Sequence, residues 1–70
     1  MDRQYVSSSN LRSVGYDPVA SVLEIEFLDR SVYQYHGVPG LIVARLLEAS
    51  SKGGYFHRYI KGRYPYQQRR

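Results

Sequence analysis

Cysteine is absent from this chain, so neither a disulfide nor a thiolate zinc site can staple its core, and the absence fits a cytoplasmic residence. Long apolar runs are missing too. The longest, Leu41 to Ala44, falls far short of the ~18 to 20 residues that a bilayer-spanning helix requires. The stretch Met1 to Asn10 is polar and serine-rich, without the apolar h-region of a secretory signal. These absences lead us to expect a soluble cytoplasmic protein with no membrane contact. Negative charge is also missing from one whole segment, since Lys52 to Arg70 contains no carboxylate.

That same segment is rich in what remains. It carries six of the ten basic residues (Lys52, Arg58, Lys61, Arg63, Arg69, Arg70) and four of the eight tyrosines. Residues 1–51 hold all six acids against four arginines, so the net charge of +4 is the sum of about −2 and +6. A cationic, aromatic segment suits phosphates and nucleobases, or an acidic protein surface.

Seventy residues bury only roughly 60% of the surface exposed by the unfolded chain, so the core is small. Apolar residues at 43% and aromatics at 14% still suffice for a folded monomer or small homodimer. No repeat or linker divides the chain. We expect a single domain over residues 1–70, with a core of about 6–66 and flexible ends at 1–5 and 67–70.

The clearest periodicity is Val22 to Phe27, where Leu23, Ile25 and Phe27 alternate with Glu24 and Glu26, as in a half-buried strand. Asp17-Pro18 marks a turn before it, and Leu11 to Tyr16 reads as a preceding strand interrupted by Gly15. Val32 to His36, β-branched and aromatic, follows directly after Asp29-Arg30. Together these runs predict a three-stranded antiparallel meander. A two-residue turn at Asp29-Arg30 places Glu26 opposite Tyr33 and Glu24 opposite Tyr35, putting both tyrosines on the outer face. A three-residue loop sends them inward.

Pro39 suits a first helical turn, and Ile42, Val43, Leu46, Leu47 and Ala49 form the apolar stripe of a helix through Ala49. Ser50-Ser51 offers a stop and a new N-cap. A second helix then turns Tyr55, Phe56, Tyr59 and Ile60 inward and His57, Arg58 and Lys61 outward. Gly62 reads as its left-handed stop, with Pro65 beyond. The expected fold is α+β: a three-stranded β-meander packed on one face by two helices, with an extended basic C-terminal tail.

Three features invite a ligand, each with a structural alternative. Lys52-Gly53-Gly54 at a helix start can expose backbone amides to a phosphate; equally, the glycines allow a tight turn and close helix approach. His57, Arg58, Lys61 and Arg63, continued by Arg69 and Arg70, form a cationic edge beside Tyr64 and Tyr66 that suits phosphates and stacked bases. Solvated surface and a packed Tyr64-Pro65-Tyr66 strap are the alternatives. Tyr33 and Tyr35, if outward, form a platform, but the facing glutamates oppose a phosphate backbone. Catalysis has little footing: His36 and His57 have no neighbouring carboxylate in sequence, and Ser7-Ser8-Ser9 lacks a nucleophile-elbow pattern. No enzyme activity, metal or cofactor is expected.

In combination, Ser8-Ser9-Asn10-Leu11, Gly15-Tyr16-Asp17, Leu23 to Phe27, Tyr33-Gln34-Tyr35, Gly37-Val38-Pro39, Ala49 to Gly53 and Tyr55-Phe56 resemble the KTSC domain. That family takes its name from an occurrence at the C-terminus of some lysyl-tRNA synthetases and also occurs as small free-standing proteins. The resemblance covers about residues 6–66. Asp29-Arg30 stands where the family commonly has an Asp-Gly or Asn-Gly turn. The resemblance implies RNA binding through the synthetase context, without fixing an activity. We therefore expect a non-catalytic RNA-binding module using Lys52, Gly53, Gly54, His57, Arg58, Lys61, Arg63, Tyr64 and Tyr66. The alternative is a module docking on an acidic surface of a larger machine, such as a synthetase or an RNA polymerase, including as a phage- or bacterium-encoded regulator.

Overall fold

The computed structural model describes residues 2–70. In chain order the elements are β1 (Arg3–Tyr5), β2 (Leu11–Asp17), β3 (Val22–Phe27), β4 (Val32–His36), α1 (Gly40–Glu48), α2 (Lys52–Tyr59) and β5 (Tyr66–Gln68). All neighbouring strands are antiparallel, in the spatial order β1-β2-β3-β4-β5. The sheet thus has five strands where the sequence pattern suggests three. The extra two are β1, inside the expected flexible 1–5, and β5, which straddles the expected core boundary after Tyr66: Arg3 pairs with Gly15 at one edge, and Tyr66 pairs with Tyr35 at the other. Val32 N–H donates to the Arg70 carbonyl at 2.8 Å, so β4 holds the terminal segment to its last residue.

Alternation decides which face of the sheet is covered. Leu23 and Ile25 are fully buried, and their cross-strand partners Tyr16 and Val14 point to the same side. Val43 and Leu46 of α1 and Phe56 of α2, with Ile60 just beyond it, close that face, and Leu11 and Val38 complete the core. Each such side chain contributes about 1.5–3 kcal/mol by leaving water. Bulge geometry at Arg12 lets β2 serve both faces: Leu11 pairs with Phe27 but Ser13 pairs with Glu26, so Arg12 is the extra residue.

The β3–β4 connection corrects one expectation. Leu28, Asp29 and Arg30 form a three-residue loop, closed by Phe27 N–H to the Ser31 carbonyl and Arg30 N–H to the Phe27 carbonyl, both 2.9 Å. Arg30 takes the left-handed conformation (φ 74°), as the last residue of a three-residue hairpin loop commonly does. Consequently Tyr33 faces Ile25 and Tyr35 faces Leu23, and Glu26 faces Val32. Both tyrosines lie on the core face, opposite to the register derived from a two-residue turn.

The helices start and stop where their sequence signals place them, but Tyr59, expected to face inward, is exposed. Pro39 is the N-cap of α1, one position before the helix, and its carbonyl accepts from Ile42 N–H at 3.0 Å. Ser51 caps α2 by accepting from Gly54 N–H at 3.2 Å. Gly62 ends the helical segment at φ 79°, after Lys61 N–H has returned to the Phe56 carbonyl at 2.9 Å.

Candidate functional site

The two faces of the sheet carry opposite chemistry. On the outer face Glu26 is buried although charged, and accepts from the Ser13 hydroxyl at 3.0 Å. Arg12 Nε and Arg70 Nη2 each lie 3.5 Å from its carboxylate, and Arg3 Nη1 lies 3.9 Å away. Glu24 beside it takes Arg3 Nε at 3.3 Å and Gln34 Nε2 at 2.9 Å. Cations from β1, β2 and the C-terminus therefore neutralise the acids of β3. This face is closed by its own ion pairs, and Arg70 belongs to it instead of extending a cationic tail.

On the core face the helices leave a strip of β3, β4 and β5 uncovered. Aromatic rings fill it. Tyr66 lies 5.6 Å from both Tyr33 and Tyr35, Phe27 lies 5.6 Å edge-on to Tyr33, and Phe56 rises from α2 to 5.4 Å from Phe27 and Tyr35. These rings floor a groove of about 650 Å³. His57 and Lys61 line it from the α2 side, and Asn10 and Asp29 line it as well. Tyr66 is 58% exposed while Tyr35 beneath it is only 4% exposed, so the floor has a rigid base and one accessible ring.

Protonation states follow from the surroundings. Burial pushes the Tyr35 phenol up to about 12, with neighbouring Tyr33 and Tyr66 adding to the shift, so it is neutral at physiological pH. The Ser31 hydroxyl and backbone N–H donate to Asp29 Oδ1 at 2.5 and 2.9 Å and hold that carboxyl below its ordinary value. Asp29 is therefore an anion lining the same groove as Lys61.

The nine residues expected at the site separate into groups. His57, Lys61 and Tyr66 meet in the groove. Arg58 and Arg63 are exposed on the same terminal segment: the Arg58 guanidinium lies over Tyr59 at 5.6 Å, and Arg63 Nε donates to the Arg58 carbonyl at 3.1 Å. Among the described residues, none of the ion pairs takes Arg58, Lys61 or Arg63. Lys52, Gly53, Gly54 and Tyr64 serve the fold. Lys52 Nζ donates to the Ala49 carbonyl at 3.0 Å, and Gly54 N–H is taken by Ser51. Gly53 abuts Asn10 so closely that a Cβ there would lie 3.2 Å from the Asn10 Cβ. Tyr64 packs half-buried against the core.

Sequence reasoning missed Phe27, Asn10 and Asp29 as groove-lining residues, and weighed Tyr33 and Tyr35 only as an outward platform. The three-residue loop, the alternative left open by the sequence, is the count that puts the tyrosines on the face they occupy. Among the described residues, no group of three metal-ligating side chains converges, and no helix is long and apolar enough to cross a membrane.

Comparison with known proteins places this geometry in a family context. The KTSC domain matches residues 7–64. A crystal structure of a KTSC domain protein from Yersinia pestis superposes with a TM-score of 0.93 at 43% identity, covering 96% of this chain and 94% of that one. An uncharacterized protein of Stutzerimonas stutzeri is 46% identical over 61 residues, 87% of this chain and 86% of its own length. A lysine–tRNA ligase of a Nostoc species is 40% identical over 60 residues, which are 86% of this chain but only 11% of the ligase.

Proposed function

The chain belongs to the KTSC domain family, and from that premise we propose that it is a non-catalytic binding module for single-stranded RNA. One observation supports this above the others: an open aromatic groove, floored by Tyr33, Tyr35 and Tyr66, with Lys61 and His57 on one wall. Bases stack on aromatic faces for roughly 1–3 kcal/mol each, and a positive flank tracks the phosphates. Tyr66 offers the accessible ring. Lys61, with Arg58 and Arg63 on the adjoining exposed surface, meets the backbone. RNA is favoured over other polyanions because relatives that share this domain are lysine–tRNA ligases, whose name specifies an RNA.

Fluorescence anisotropy of the full chain with a short labelled single-stranded RNA tests this across a salt series. Contact with two or three phosphates gives a log–log slope of about −1.4 to −2.1. Undetectable binding at low salt removes the proposal. A second reading draws on the Arg58–Tyr59 pair, which stands exposed outside the groove and is of the type enriched at protein interface hot spots. In that reading the same edge docks an acidic protein surface. Recovery of one stoichiometric protein after nuclease treatment would favour it over RNA.

A further inference from the structure

We propose that the groove selects guanine, with Asp29 as the selecting residue; this deepens, and rests on, the single-stranded RNA function above. An ionised carboxylate only accepts hydrogen bonds. Guanine alone among the four bases presents two neighbouring N–H donors, N1–H and the N2 amine, on its Watson–Crick edge, the edge by which unpaired bases are read. Adenine and cytosine each offer one exocyclic amine there, and uracil a single N3–H.

Asp29 is built for that task. Ser31 occupies Oδ1 with two donors, which fixes the carboxylate and leaves Oδ2 without a donor among the described residues. Asn10 lines the same groove, its carbonyl accepting from Leu28 N–H at 3.1 Å next to Asp29, and its side-chain amide enters no side-chain hydrogen bond among the described residues. Its Nδ2 donors complement the guanine O6 acceptor. Lys61 and His57 line the same groove. The groove therefore combines an acceptor, Asp29, with a cation, Lys61, which matches a nucleotide whose base donates and whose phosphate is negative. A peptide arginine would also satisfy Asp29 and the aromatic floor, but Lys61 opposes a cation there.

The test compares anisotropy titrations of the full chain with short labelled oligouridine strands bearing one central guanosine, inosine or adenosine. The guanosine strand is expected to bind about tenfold tighter than the adenosine strand. Inosine, which keeps N1–H but lacks the N2 amine, is expected to fall between them. Asp29→Asn keeps Oδ1 for the Ser31 N–H and is expected to abolish the guanosine preference. Asn10→Ala is expected to reduce the preference by roughly threefold, and decides the matter if Asp29→Asn lowers the melting temperature. Equal affinity for guanosine and adenosine strands, or a preference unchanged in Asp29→Asn, overturns base selection while leaving RNA binding intact. Failure to bind any strand overturns the RNA reading itself. Tighter capture of an arginine-rich peptide than of the guanosine strand would assign the groove to a protein ligand and also overturn the inference.

Discussion

Tyr66 stands directly across the β4–β5 ladder from Tyr35, their rings 5.6 Å apart, so the last strand lays an exposed aromatic over a buried one. Because Tyr66 is 58% exposed, truncating it costs the fold little, yet it removes the ring best placed to stack on a ligand. Tyr66→Ala is expected to weaken single-stranded RNA binding roughly tenfold, within the ~1–3 kcal/mol a stacked base contributes. Its melting temperature should stay within a few degrees of the parent. Phe56→Ala, which empties a core position 4% exposed, should instead cost about 3–5 kcal/mol by denaturant titration. A Tyr66→Ala variant that binds as well as the parent would exclude this ring from the site.

Arg30 holds a left-handed backbone, φ 74°, at the end of the β3–β4 loop. A Cβ in that conformation costs about 1–2 kcal/mol, partly offset by the greater freedom glycine has when unfolded. Arg30→Gly is therefore expected to stabilise the protein by about 0.5–1 kcal/mol in urea titration. The hairpin register should not change, since Asp29 and Ser31 keep their bonds. Destabilisation would show that the Arg30 side chain contributes more than its strained backbone loses.

That loop also marks the limit of what the amino-acid order reveals. The Leu23-Ile25-Phe27 alternation, the Val43-Leu46 stripe, the Ser51 cap and the Gly62 stop are local signals, each satisfied within a few residues of itself. All appear in the structure. The face occupied by Tyr33 and Tyr35 depended on a single loop residue, because one step of register inverts every side chain on a strand. Strands β1 and β5 were hidden for another reason. Three polar, exposed residues such as Tyr66-Gln67-Gln68 have no periodicity of their own, and are strands only because β4 supplies a partner. The groove joins Asn10, Asp29, Lys61 and Tyr66 from four separate segments, so no local pattern could announce it.

Glu26 is the common partner of three arginines drawn from β1, β2 and the C-terminus. Removing a buried carboxylate strands the charges around it, though here Arg70 remains 65% exposed and can return to water. Glu26→Ala is expected to destabilise the fold by about 2 kcal/mol. The loss should appear first as faster amide exchange at Val32 and Arg69, which bond β4 to the terminal segment. Arg70→Ala alone should cost under about 1 kcal/mol, as exposed ion pairs do. Equal costs for the two variants would mean that Arg70 carries most of the network.

Tyr35 gives the fold a dependence on alkaline pH. Its phenol is pushed up from 10.0 to about 12, chiefly by burial, with Tyr33 and Tyr66 adding like charge as they ionise. The folded state then holds this proton between pH 10 and about 12, whereas the unfolded chain releases it. Stability from this group is complete below pH 10 and is lost as pH rises toward 12, because the unfolded state binds fewer protons there. Ultraviolet titration of the folded protein should show one of the eight tyrosines ionising late. Tyr35→Phe should flatten the fall in denaturation midpoint above pH 10 while leaving the neutral-pH fold intact, since the Tyr35 hydroxyl makes no side-chain hydrogen bond among the described residues. An undiminished alkaline fall in Tyr35→Phe would show that burial of the Tyr35 phenol is not its source.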